Sequence, residues 1–136
     1  MSSVTGQLFL AYSRQRLRRI ARWMADPAAE QAALLAHLAR RAAATRFGRD
    51  HDLGSVRSVA GFQARVPLRK FHELEPYWAR LQDGERDVTW PGRIRLFAVT
   101  SGSTGQPKLV PVSDEGLRGF LRAGRDILSH YVVNTR

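Results

Sequence analysis

Thr100-Ser101-Gly102-Ser103-Thr104-Gly105-Gln106-Pro107-Lys108 is the stretch on which the reading of this chain turns. Gly102 and Gly105 permit backbone angles that aim several N–H groups at one point, the geometry of an anion-binding nest. Thr100, Ser101, Ser103 and Thr104 add hydroxyl donors, and Lys108 adds a full positive charge. No carboxylate interrupts the run. Many donors, small side chains and no negative charge are what a polyphosphate needs. The string is not a Walker A loop, which places Gly directly before Lys and then opens a helix. Here Lys108 leads into Leu109-Val110-Pro111-Val112, so the loop is expected to join two strands, Ile94 to Val99 and Lys108 to Val112. The same residue types also build ordinary polar hairpin loops, and composition alone does not separate the two.

Working outward, Trp90-Pro91-Gly92 reads as a turn before the first strand. After the second strand, Ser113 suits a helix cap, with Asp114 and Glu115 in the first turn where the helix dipole favours them. Leu117, Phe120, Leu121, Ile127, Leu128 and Tyr131 are expected to form the buried face of that helix. Upstream, a helix is expected from His72 to Gln82, with Leu74, Tyr77, Trp78 and Leu81 on one face and Gly84 ending it. Val66-Pro67-Leu68 is extended, because the residue before proline avoids helical angles, and a shorter helical turn is expected from Ser58 to Ala64. The first half reads helical. Leu10, Leu17, Ile20, Ala21 and Met24 recur at helical spacing between Leu8 and Met24, with Arg14, Arg18, Arg19 and Arg22 on the other side. Asp26-Pro27 restarts the chain as N-cap and first helical residue. The second helix, through Ala32, Leu35, Leu38, Ala39 and Ala42, is expected to stop near Gly48 and to lie antiparallel to the first. The fold class is therefore α/β: N-terminal helices, then a strand–phosphate loop–strand hairpin and a helix.

A chain of 136 residues has the length of one domain, and 43% hydrophobic with 25% charged residues is a globular balance. The absence of cysteine excludes disulfides, a thiol nucleophile, thiolate zinc sites and iron–sulfur clusters. No apolar run approaches the ~20 residues of a membrane span. Leu8 to Tyr12 is too short for a signal sequence, and its arginines follow rather than precede it, so a cytoplasmic protein is expected. The formal net charge is +10, and the only lysines are Lys70 and Lys108. That preference for Arg over Lys points to a bacterial source.

The basic N-terminal helix admits a rival reading, since its arginines could follow a nucleic-acid backbone or an anionic membrane. The first 25 residues contain no acidic residue, which also fits a targeting segment. No nucleic-acid motif accompanies the charge and no aromatic residues interleave it, so a solvated helix face is the default. His37, His51, His72 and His130 lack metal-ligand spacing, and no metal site is expected. Asp50-His51-Asp52 reads as a hydrated turn, and Glu73 and Glu75 as the acidic first turn of a helix rather than a catalytic pair.

Residues 100–108 also resemble the phosphate-loop signature of the acyl-adenylate-forming enzymes. Ala44-Thr45-Arg46-Phe47-Gly48, Val66-Pro67-Leu68-Arg69, Leu74-Glu75-Pro76-Tyr77 and Trp90-Pro91-Gly92-Arg93 resemble the auxin-responsive-promoter family, the acyl acid amido synthetases, a branch of the luciferase-like ligases. The likeness is densest over residues 62–113. It implies the start of an adenylating domain, with a basic helical pair at 1–48 and a phosphate-loop segment at 49–136. It implies an enzyme that uses ATP with Mg²⁺ to activate a carboxylic acid as an acyl-adenylate, then transfers it to an amine such as an amino acid. Thr100, Ser101, Gly102, Ser103, Thr104, Gly105 and Lys108 then correspond to the phosphate-binding residues, with Lys108 as the catalytic one. Two departures stand out: the loop is one residue shorter than the plant pattern, and Ser103 stands where Thr is usual. The family's adenine, ribose and acyl-pocket segments lie further along than Arg136. The chain is therefore expected to be the N-terminal portion of a larger ligase, the rest lying on a separate or missing chain, and to be inactive alone. The alternatives are a non-catalytic module that binds phosphate or a partner, and a basic nucleic-acid or membrane-surface domain.

Overall fold

Side-chain caps written into the sequence divide the chain into its helices. The structure, a computed structural model, describes residues 4–101 and 107–135. Helix α1 (Val4–Ala25) ends at Asp26, whose carboxylate accepts the Ala29 N–H at 3.0 Å and starts α2 (Pro27–Ala42). Thr45 caps α3 (Arg46–Asp50), and Ser58 caps α4 (Val59–Arg65) by accepting the Gly61 N–H at 3.1 Å. Helix α5 (Glu75–Gln82) is followed by strands β1 (Leu96–Val99) and β2 (Leu109–Val112) and helix α6 (Asp114–Asn134). The described residues are mostly helical, with one two-stranded antiparallel sheet in which Leu96 faces Val112 and Val99 faces Leu109.

Helix α2 stops at Ala42, six residues before the glycine expected to end it. The Thr45 hydroxyl donates to the Ala42 carbonyl at 2.7 Å and accepts the Gly48 N–H at 3.0 Å, so it closes one helix and opens the next. Gly48 serves another purpose. A Cβ there would collide with the Ala42 carbonyl oxygen and stand 2.8 Å from that of Ala43, so only glycine lets α3 fold back this closely. The helix expected from His72 begins instead as a separate short turn, Phe71–Leu74, because Pro76 in the first turn of α5 resets the start.

The chain divides into two compact units: residues up to Glu30 with those from Glu115 onward, and residues Gln31–Asp114. In the second unit, Ala39, Ala42, Leu53 and Val56 form one buried cluster and Leu81, Val88 and Ile94 another. Trp90 packs against both. It is placed by a turn in which Gly92 takes a left-handed φ of 89°, the Asp87 N–H donates to the Gly92 carbonyl at 2.9 Å, and the Asp87 carboxylate accepts the Gly92 N–H at 2.7 Å. The carbonyls of Asp87 and Val88 accept the Arg46 and Phe47 N–H groups, which α3 itself leaves without helical partners.

The first unit corrects an expectation. Leu117, Phe120, Leu121, Ile127, Leu128 and Tyr131 are not a buried face of α6; all are exposed, from 38% at Leu117 to 76% at Phe120. Helix α6 meets α1 through its polar side. Arg16 holds Asp126 with Nε to Oδ1 at 2.7 Å and Nη2 to Oδ2 at 2.8 Å, and its guanidinium lies 4.6 Å from the centre of the Trp23 ring. One turn from this pair on each helix, Ser13 and Ser129 are fully buried.

Candidate phosphate site at the hairpin

The antiparallel register brings the two ends of residues 100–108 together. The Thr100 N–H donates to the Lys108 carbonyl at 3.0 Å, and the Lys108 N–H donates to Thr100 Oγ1 at 3.0 Å. The base of the loop is therefore a closed pair, and the Thr100 hydroxyl hydrogen remains to be donated elsewhere. Ser101 is exposed beside it. Gly102, Ser103, Thr104 and Gly105 lie outside the described residues.

Lys108 projects its ammonium over the Phe71 ring, 5.3 Å from the centroid. Phe71, Glu75, Trp78, Gln82, Pro107, Lys108 and Leu109 line one cleft of about 400 Å³. Its aromatic wall is fixed from within: the Trp78 indole N–H donates to the Phe71 carbonyl at 3.3 Å, and the two ring centroids are 5.7 Å apart. A cation beside an aromatic wall suits a ligand with one anionic and one apolar part. Phe71, Glu75 and Gln82 were not singled out from sequence as ligand-facing. The available signal was spacing, since Glu75, Trp78 and Gln82 at i, i+3 and i+7 share a face of α5.

The other candidates disperse. Asp50 accepts the Tyr77 hydroxyl at 2.8 Å, and burial, then that bond, raises the Tyr77 pKa. His51 is buried, stacked on Phe47 at 4.1 Å, with Nδ1 3.0 Å from the Phe47 carbonyl oxygen. Asp52 accepts Ser55 Oγ at 2.9 Å and Arg65 Nε at 3.2 Å, and these bonds, in that order, lower its pKa. The three neighbours thus point to different partners. Glu73 accepts the Lys70 N–H at the start of the short turn Phe71–Leu74, and Glu75 opens α5. Among the described residues, no three His, Asp or Glu side chains gather as a metal ion requires.

The GH3 family N-terminal domain matches residues 16–135, and the chain belongs to that family. It is 29% identical over 85 residues to the jasmonoyl–L-amino acid synthetase GH3.5 of Oryza sativa subsp. japonica, covering 61% of this chain and 15% of the relative. Over 104 residues it is 30% identical to the indole-3-acetic acid-amido synthetase GH3.8 of Oryza sativa subsp. indica, covering 74% of this chain and 17% of the relative. The jasmonoyl–L-amino acid synthetase JAR6 of Nicotiana attenuata is 39% identical over 56 residues, covering 40% of this chain and 10% of the relative. The matches therefore span between 10% and 17% of these relatives' length. No solved structure matches. The resemblance to acyl acid amido synthetases stands, and the family is one of ligases. No described helix is long and apolar enough to cross a membrane.

Proposed function

We propose that this chain supplies the phosphate-binding part of an ATP-dependent amido ligase, with residues 49–136 carrying the phosphate-loop segment. The observation that carries the reading is the closed Thr100–Lys108 pair, which sets the Lys108 ammonium on the rim of an aromatic-walled cleft. The donor set fits phosphate: an ammonium, the hydroxyls of Thr100 and Ser101, and no carboxylate between residues 100 and 108. Mg²⁺ would arrive on the nucleotide.

ATP supplies the phosphorus that an acid's carboxylate attacks, with pyrophosphate leaving. The chain's own contribution is position and charge. Lys108 offsets negative charge on the phosphate oxygens, and Thr100, Ser101, Ser103, Thr104 and the loop N–H groups fix their orientation. Gly102 and Gly105 keep the loop free of side-chain bulk, so its backbone can approach the phosphates. The amine then attacks the acyl carbon of the acyl-adenylate, the new amide bond forming as AMP leaves.

The test is a titration of the isotope-labelled chain with ATP, followed by amide resonances. Shifts centred on Thr100, Ser101 and Lys108 are expected, and Lys108→Ala should abolish them. Shifts elsewhere only, or none, would sink the proposal.

A further inference from the structure

Tyr12, Gln15, Arg16 and Arg19 fall at i, i+3, i+4 and i+7 on one face of α1, and with Arg122 and Arg125 of α6 they line a cleft of about 240 Å³. Arg122 and Arg125 continue into an adjoining cleft of about 440 Å³ with Arg118 and Leu121. The first cleft is strongly unbalanced in charge. Arg16 is occupied by both oxygens of Asp126, while Arg19, Arg122 and Arg125 make no hydrogen bond or ion pair among the described residues. The Arg16 hydrogen bonds, and then the Arg122 and Arg125 charges, hold the Asp126 carboxyl below its ordinary range. Three guanidiniums thus share one small cleft, none of them bonded to an anion among the described residues and two of them offset only through space by Asp126, an excess of positive charge that a bound anion relieves.

We propose that this cleft is a second anion site, for a phosphate group, separate from the hairpin loop and independent of the ligase reading. The chemistry selects phosphate over carboxylate. Asp126 shows what a carboxylate does here: both its oxygens are spent on a single guanidinium fork. Three further forks, a tyrosine hydroxyl and a glutamine amide need a ligand with more acceptor oxygens and more than one charge. The volume suits a phosphate or diphosphate rather than a whole drug-sized molecule, which takes ~300–1,000 Å³. A free phosphate compound and a lipid phosphate present the same group.

The experiment titrates the full 136-residue chain, carrying Lys108→Ala so that the loop does not compete, with pyrophosphate, following the arginine Nε–H resonances. Shifts at Arg19, Arg122 and Arg125, weakened about tenfold by Arg122→Gln and again by Arg125→Gln, are expected from the loss of charge-assisted hydrogen bonds. Arg19→Gln on the other helix gives the same reading should the α6 variants fail to fold. A parallel arm uses phosphatidylcholine vesicles with and without phosphatidic acid. Binding to the doped vesicles that Arg122→Gln abolishes supports the site and identifies a lipid source; pyrophosphate binding without vesicle binding supports it and identifies a free one. Pyrophosphate shifts unaffected by the arginine substitutions would overturn the proposal, as would no binding of either probe at millimolar phosphate. Loss of ATP-induced shifts at Thr100 and Ser101 in Lys108→Ala bears on the loop alone, so the two readings fail separately.

Discussion

Thr100 and Lys108 hold one another twice, through the Thr100 N–H on the Lys108 carbonyl and the Lys108 N–H on Thr100 Oγ1, each at 3.0 Å. The second bond needs a side-chain oxygen at position 100. Thr100→Ser should keep it, and Thr100→Val, of nearly the same shape, should lose it. A neutral hydrogen bond contributes about 1 kcal/mol, so exchange of the Lys108 amide should quicken about fivefold in the valine variant. Equal exchange rates in the serine and valine variants would show that this bond does not close the loop.

Lys108 itself bears on function. In a full-length ligase carrying this segment, Lys108→Ala removes a charge-assisted bond worth about 1.5–3 kcal/mol, a loss of roughly ten- to two-hundred-fold in adenylation efficiency. Lys108→Arg should rescue in part, because a planar fork does not occupy the position of a point charge. Ser101→Ala and Thr104→Ala should cost less, near ~1 kcal/mol each. The measurement is adenylation rate against ATP concentration, with folding checked by circular dichroism. Wild-type efficiency in a folded Lys108→Ala enzyme would remove the loop from the mechanism.

Gly48→Ala tests the close return of α3. The new methyl meets backbone, namely the carbonyl oxygens of Ala42 and Ala43, and backbone at a capped helix junction has little room to yield. A loss of about 3 kcal/mol or more is expected, read as a fall of the melting temperature by roughly 10 °C. Gly119→Ala, where a Cβ meets nothing within 4 Å, is the control and should hold or gain stability.

The Arg16–Asp126 pair gives a pH dependence of known sign. The Arg16 hydrogen bonds lower the folded-state pKa of Asp126, so the pair stabilises above the unfolded carboxylate value of about 3.9 and loses that stability as pH falls through the lower folded value. Asp126→Asn should cost about 1 kcal/mol at neutral pH and flatten this part of the acid limb. Chemical denaturation at pH 7 and below pH 4 checks both. An acid limb unchanged by the substitution would exclude this pair as its source.

Ser13 and Ser129 carry fully buried hydroxyl oxygens that find no hydrogen-bond partner among the described residues. Alanine at either position removes an unsatisfied polar group without adding bulk. Each variant should gain about 1 kcal/mol against urea. Destabilisation by either one would mean that the hydroxyl is satisfied in solution.

Part of the local chemistry was legible in the sequence, although the Thr45 cap that ends α2 at Ala42 was not. Asp26 caps the helix that follows it, a helical segment follows Ser58, Gly92 makes its turn, and two strands flank residues 100–108. What could not be read was anything decided by how one element packs on another. Gly48 looked like a helix terminator, but it is there for the approach of α3 to Ala42, which no local pattern encodes. The apolar stripe of α6 had the period of a buried face, yet periodicity does not say which side a neighbour takes, and α1 took the side of Asp126 and Ser129. At the hairpin, the run of small hydroxyl residues closed by Lys108 could be read from the sequence, as could the two strands beside it. The aromatic wall could not, because Phe71 and Trp78 reach Lys108 only through the fold.

Trp90 has its own consequence, since one indole belongs to the packing of both buried clusters in residues 31–114. A side chain shared in this way cannot leave one cluster while the other stays whole. The unit should therefore melt in a single cooperative transition, with no populated half-folded form between. Loss of Trp90 would uncouple the halves, and a broad, two-phase melt would replace the sharp one.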